Sequence, residues 1–178
     1  MKKIIILLMM CLISISMIAQ GYNTSHYGAN SNFAISAGVV QPRLYHTEGI
    51  STFNISYHGG ISTFIYTSTS AIIEPGVNFV YKYSSQKGKY VNDMTETATA
   101  LNGFVKFKFN TEYLIQPYAG INSQVQFGYR REYDHRVERN EKSIWNHNLI
   151  FGTDILISHN VLFGYEFNTG YYSMKILF

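Results

Sequence analysis

Few residues of this chain could do chemistry, and their spacing argues against most of it. His147 sits beside Trp145, with Ser143 four positions away. Acyl hydrolysis needs a histidine within hydrogen-bond reach of a serine and an acid to orient it. Four positions along one strand, with no His-x-Ser spacing nearby, do not supply that, so His147 reads as an amphipathic ring in an aromatic belt. His58 shares a face with Asn54 and Ser56. It reads as a hydrogen-bonded interior histidine, because no second histidine or carboxylate stands at metal-ligand spacing. His135, near Asp134 and Glu138, belongs to a run of mixed charge that reads as solvated. No phosphate-binding glycine loop, HExxH, GxSxG or cysteine cluster occurs. The expectation is a chain that is not an enzyme and has no catalytic, cofactor or metal site.

What remains is a set of charges in an otherwise apolar context: Glu74, Lys82, Lys106, Lys108, Asp154, Glu166 and Lys175. Each lies on the face opposite the apolar stripe of its segment. That pattern directs attention to the elements that hold them, of which 115–129, IQPYAGINSQVQFGY, is the clearest. Its odd positions are apolar except Ser123, and its even positions are amides, glycine and Tyr118. A strand points alternate side chains to opposite faces. One face is therefore greasy and the other rich in amides but uncharged. A membrane-crossing strand needs about 9–11 residues with lipid outside and a polar lumen inside.

The same alternation recurs at 32–41, 52–66, 71–84, 98–109, 143–157 and 161–168, and with reversed parity at 171–178. Gly59 and Gly60 read as a bend within one strand, since parity is kept across them. Pro75 and Pro117 each remove a ladder donor near the start of a strand. The expected fold is all-β: an eight-stranded antiparallel up-and-down transmembrane β-barrel. Val77, Phe79, Tyr81, Ile121, Val125, Phe127, Phe151, Phe163 and Tyr165 would face the membrane, and the seven charges would form a lumen polar network. A charge facing lipid at mid-bilayer costs about 2–4 kcal/mol, whereas enclosed charges must pair. Polar stretches at 41–50, 85–97 and 130–142 read as three long loops at one end, alternating with short turns. The final connection, at 168–170, is short. A soluble carrier with its apolar face turned inward is the rival, but its amide- and glycine-rich exterior would make a poor soluble surface.

Residues 1–19 carry Lys2 and Lys3, an apolar run and a small-residue exit, which read as a secretory signal peptide. Residues 20–178 form the barrel domain, and 20–31 a polar lead-in. Cys11 is the sole cysteine and lies in the leader, so no disulfide is expected in the exported chain. Without Lys2 and Lys3 the formal charge falls from +3 to +1, which gives no reason to expect nucleic acid. Fifteen tyrosines and twelve phenylalanines favour strands over helices.

The leader, the eight alternating segments, the phrases Glu74-Pro75-Gly76-Val77 and Gln116-Pro117-Tyr118-Ala119-Gly120, and the terminal Phe178 resemble the porin-like outer-membrane β-barrel family of Bacteroidetes. The architecture implied is that of small OmpA- and OmpX-like barrels. The resemblance implies residence in the outer membrane of a Gram-negative cell envelope, contact with outer-membrane lipid, and recognition by the barrel-assembly machinery, with Phe178 as the assembly signal. Eight strands enclose only enough room for side chains, so little conductance is expected. The expected role is structural, or contact with a surface or periplasmic partner through 41–50, 85–97 and 130–142. The alternatives are an accessory barrel of a secretion or assembly system, a lipid-modifying enzyme, or a small porin.

Overall fold

The computed structural model describes residues 32–47, 49–68, 71–88, 93–109, 114–133, 136–158 and 160–178. The leader and the lead-in at 20–31 therefore lie outside the described residues. Ten strand segments follow one another: β1 (Phe33–Thr47), β2 (Ile50–Thr63), β3 (Ile65–Ser68), β4 (Ala71–Gly88), β5 (Met94–Phe109), β6 (Ile115–Tyr133), β7 (Arg136–Asn140), β8 (Ile144–Ser158), β9 (Val161–Glu166) and β10 (Tyr171–Leu177). β3 continues β2 along β4, and β7 and β8 both pair with β6, so the ten segments make eight staves. Every pairing is antiparallel, and β1 against β10 together with β2 against β4 closes the sheet. Closure leaves no edge around the lower wall, where each backbone donor can find a ladder partner.

The staves are steeply inclined. A path of paired residues starts at Val40, midway along β1. It passes Tyr171, Glu166, Gly152, Tyr118, Lys108 and Ile72, and ends at Tyr66, low on β3. Such a descent within one circuit is the shear that tilts barrel strands. All eight of these residues point inward, so the path stacks one lumen layer obliquely over the next.

Three expectations are corrected. The stretches 41–50, 85–97 and 130–142 are mostly ladder, not loop. β1 pairs with β2 as far as Thr47↔Ile50, β4 with β5 as far as Gln86↔Met94, and β6 folds back on β7 as far as Tyr133↔Arg136. Pro42, which suggested a loop, falls at the register shift between Val40 and Arg43, and a bulge tolerates a residue with no N–H. Second, Tyr129 leaves the greasy face. Gly128 takes a φ of 102° at the shift between Ala98 and Ala100, so Tyr129 comes opposite the buried Ala98. Third, 52–66 is one strand through Gly59 and Gly60, as expected, but it breaks at Phe64. Phe64 leaves the β4 ladder and donates its N–H to Asn32 O at 3.0 Å. Pro75 lies opposite this break, between the pairs Ser62↔Gly76 and Ile65↔Ile73, where no ladder donor is needed.

Candidate functional site

The lumen is layered. Its lower end is closed by Ala34, Phe64, Ile72, Leu156, Leu162 and Leu177, with Tyr66 packed against them. The break at Phe64 makes this seal possible, because an unbroken alternation would not leave both Thr63 and Phe64 buried.

Directly above lie the charges. Lys108 Nζ is 2.6 Å from Glu74 Oε2 and also contacts Asp154 Oδ2. Lys175 Nζ is 2.9 Å from Glu74 Oε1 and 2.8 Å from Asp154 Oδ2. Two cations and two carboxylates from β4, β5, β8 and β10 thus bridge the barrel from four staves. Glu74 and Asp154 have no exposed surface. Ser62 Oγ donates a further bond to Glu74 Oε1 at 2.8 Å. One level higher, Lys106 pairs with Glu166 at 3.2 Å and lies over the Tyr118 ring at 4.2 Å. Glu166 also accepts from Thr169 Oγ1 at 2.8 Å. Six of the seven charges expected in the lumen are therefore buried and matched, three of each sign. Lys82 stands apart near the top, half-buried, and donates to Gln126 Oε1 at 3.3 Å.

Glycines make room for this filling. A Cβ on Gly76 would meet the Phe104 ring, and one on Gly120 would meet the Val105 carbonyl. These lumen glycines occupy inward positions where a larger side chain would collide.

Over the Lys106–Glu166 level lies a cavity of about 220 Å³, lined by amides, including Asn78, Asn102, Asn122 and Asn148, with Lys82, His58 and Tyr171. His58 is not hydrogen-bonded through Nδ1, contrary to expectation. Its ring lies against Tyr171 at 4.5 Å between centroids, and Nδ1 is buried with no partner among the described residues. Asn102 Oδ1 is in the same position. The Tyr171 contact was legible only through the parity reversal at 171–178, which turns Tyr171 inward.

The nine residues expected to face the membrane all lie on the outer side. Phe79, Tyr81, Ile121, Phe127 and Phe151 are exposed there. Val77, Val125, Phe163 and Tyr165 are half-covered, and Tyr172 stacks on Tyr165 at 4.7 Å. Many further large apolar side chains share this exterior, among them Leu149 and Ile157. Trp145 and His147 stack with each other at 6.5 Å on that face. Phe178 donates its N–H to Phe33 O at 2.9 Å, which ties the chain end to the first strand.

The upper extensions carry their own ion pairs. Arg131 lies opposite both Glu96 and Glu138, with Nη2 2.8 Å from Glu96 and Nη1 3.8 Å from Glu138. The Glu96 hydrogen bonds raise the Arg131 guanidinium pKa still further. Arg130 pairs with Glu132. Asp134 and His135 lie outside the described residues, and no group of three or more metal-ligating side chains occurs among those described.

No model of a protein family matches this chain, and no curated protein matches it. Among solved structures it is similar to the outer membrane protein OprG from Pseudomonas aeruginosa, at 12% identity and a TM-score of 0.39. The match covers 83% of this chain and 90% of that one. It is also similar to the translocator domain of the autotransporter NalP from Neisseria meningitidis, at 6% identity and a TM-score of 0.28, covering 95% of this chain and 92% of that one. Overlaps this loose leave the fold to be read from the strand pairing itself.

Proposed function

We propose that this chain is an integral outer-membrane barrel that does not conduct ions and that presents its upper strand extensions outside the cell as a contact surface. The observation that carries the reading is the layered lumen: an apolar seal beneath two levels of ion pairs, inside a wall whose exterior is greasy. A wall of this polarity suits lipid outside, and a lumen filled in this way offers ions no path. The residue-level resemblance to the porin-like barrels of Bacteroidetes, the leader-like 1–19, and Phe178 as the signal for the assembly machinery belong to the same proposal. So does the absence of enzymatic activity, since no nucleophile, base and acid converge on one another in the described lumen.

The experiment is reconstitution in planar bilayers after refolding. The reading expects folded protein, identified by heat-modifiable migration, with no stable current steps. Large, lasting steps from the folded form contradict it.

A further inference from the structure

The last hairpin is too short for the wall it belongs to. β9 has six residues and β10 seven. At about 3.3 Å per residue and a barrel tilt near 45°, seven residues climb about 16 Å, against an apolar band of about 25 Å. Its neighbours continue upward. β1 keeps β10 only to Val40↔Tyr171, with one more bond from Gln41 N to Gly170 O at 2.7 Å, and then runs on to Thr47. β8 keeps β9 only to Gly152↔Glu166. The Asn168 side chain then caps β8 at Phe151 N and Leu149 O. From Ile144 to Asn148 the β9-side edge of β8 has no strand partner among the described residues.

The wall therefore carries a notch between β1 and β8, two strands wide. Three inter-strand intervals span about 14 Å. The notch lies in the upper part of the greasy band, with Trp145, Leu149 and Phe167 exposed around it. Hydrocarbon cannot satisfy bare strand edges, so a polar group must reach them.

The amide-lined cavity opens behind this notch, since Val40, Asn148, Ile150, Glu166, Thr169 and Tyr171 belong to both. Its chemistry selects an occupant. Lys106 is matched by Glu166, but Lys82 has only the Gln126 amide. Arg43, in register with the inward Asn54, adds a second cation at the rim. Asn102 and His58 line the same space, and Asn102 Oδ1 and His58 Nδ1 are buried with no partner among the described residues. Positive excess calls for an anion, and the orphaned acceptor calls for a hydroxyl.

We propose that the notch and the cavity behind it form a lateral site for one membrane glycerophospholipid, with an anionic, hydroxyl-bearing head group in the cavity and its acyl chains against Trp145, Leu149 and Phe167. The site rests on the membrane reading above. A phosphate bearing glycerol has the required chemistry, whether it is tethered to acyl chains or free, and the notch favours the tethered form.

The test uses the barrel refolded in nonionic detergent, its folding shown by heat-modifiable migration, and titrated under native mass spectrometry. The probes are phosphatidylglycerol, phosphatidylcholine and free glycerol 3-phosphate. The expected result is one phosphatidylglycerol retained roughly tenfold more strongly than phosphatidylcholine, with glycerol 3-phosphate not retained. Lys82→Gln and Asn102→Leu, each checked for folding, should each weaken retention by roughly tenfold, the scale of one lost charge-assisted bond or one unmet polar atom. As a second readout, Trp145 fluorescence should be quenched more by brominated phosphatidylglycerol than by brominated phosphatidylcholine. Equal retention of the two lipids, indifference to both substitutions, or equal binding of glycerol 3-phosphate overturns the site. A folded, inserted barrel indifferent to head group overturns the site alone, whereas a chain that stays monodisperse without detergent overturns the membrane reading.

Discussion

Replacing Lys108 by methionine tests the buried ion cluster most sharply. Lys108 touches both Glu74 and Asp154, and its side chain has no exposed surface. Methionine fills a similar volume, so the change removes charge with little loss of packing. Two buried carboxylates would then share Lys175 alone. Removing one partner from a buried pair costs about 3–5 kcal/mol, because the surviving charge is left uncompensated in a medium that cannot solvate it. Adding Asp154→Asn to Lys108→Met restores neutrality, with Glu74 and Lys175 still paired. The double variant should therefore recover most of the loss, since replacing both members of a pair is often close to neutral. The two changes should be strongly non-additive, as expected for groups in contact. The assay is urea unfolding in detergent micelles, followed by the emission of Trp145, the sole tryptophan. A loss below about 1 kcal/mol for Lys108→Met, the scale of an exposed pair, would refute the cluster as a buried unit. So would a double variant less stable than the single one.

Other predictions follow from the same geometry. Arg131→Ala should cost about 1 kcal/mol or less and lose its effect in high salt, because the pairs with Glu96 and Glu138 are solvent-accessible; urea curves at two ionic strengths check this. Gly120→Ala should destabilise by about 1–3 kcal/mol, since its Cβ would press on the Val105 carbonyl, and thermal unfolding measures it. Phe178→Ala should lower the amount of heat-modifiable barrel in cell envelopes while leaving refolding in detergent nearly unchanged, which gel migration of both preparations separates.

Much of this was legible because period-two alternation is dictated by the strand itself. Once Phe79, Tyr81 and Ile121 point one way, Glu74, Lys82 and Asn122 must point the other, and only a closed lumen can take Glu74 and Asp154 together. Which lysine meets which carboxylate was not legible. Glu74 and Lys175 stand 101 positions apart, and their contact depends on the shear of the closed barrel. Bulges hid the rest. Pro42 and the charges of 130–142 look like loop composition, yet a register shift absorbs the proline, and cross-strand pairs such as Glu96 with Arg131 stabilise an extended ladder in water. Tyr129 changes face because of a single residue, Gly128, whose backbone conformation a parity count does not see. The brevity of 161–168 and 171–178 was plain in the sequence. Its consequence, a notch beside Asn148 and Val40, needed the lengths of the neighbouring strands.

Below the Gly128 shift, the odd-numbered residues of β6 touch lipid and the even-numbered ones are enclosed. Spin labels placed one at a time from 117 to 126, in protein made without residues 1–19 and therefore free of cysteine, report it directly in lipid vesicles. With the crowded Gly120 left unlabelled, the expected result is a period-two pattern, with oxygen collisions high at Ala119, Ile121 and Val125 and low at Tyr118, Asn122 and Gln124. A flat profile, or the opposite phase with the odd positions enclosed, would contradict it.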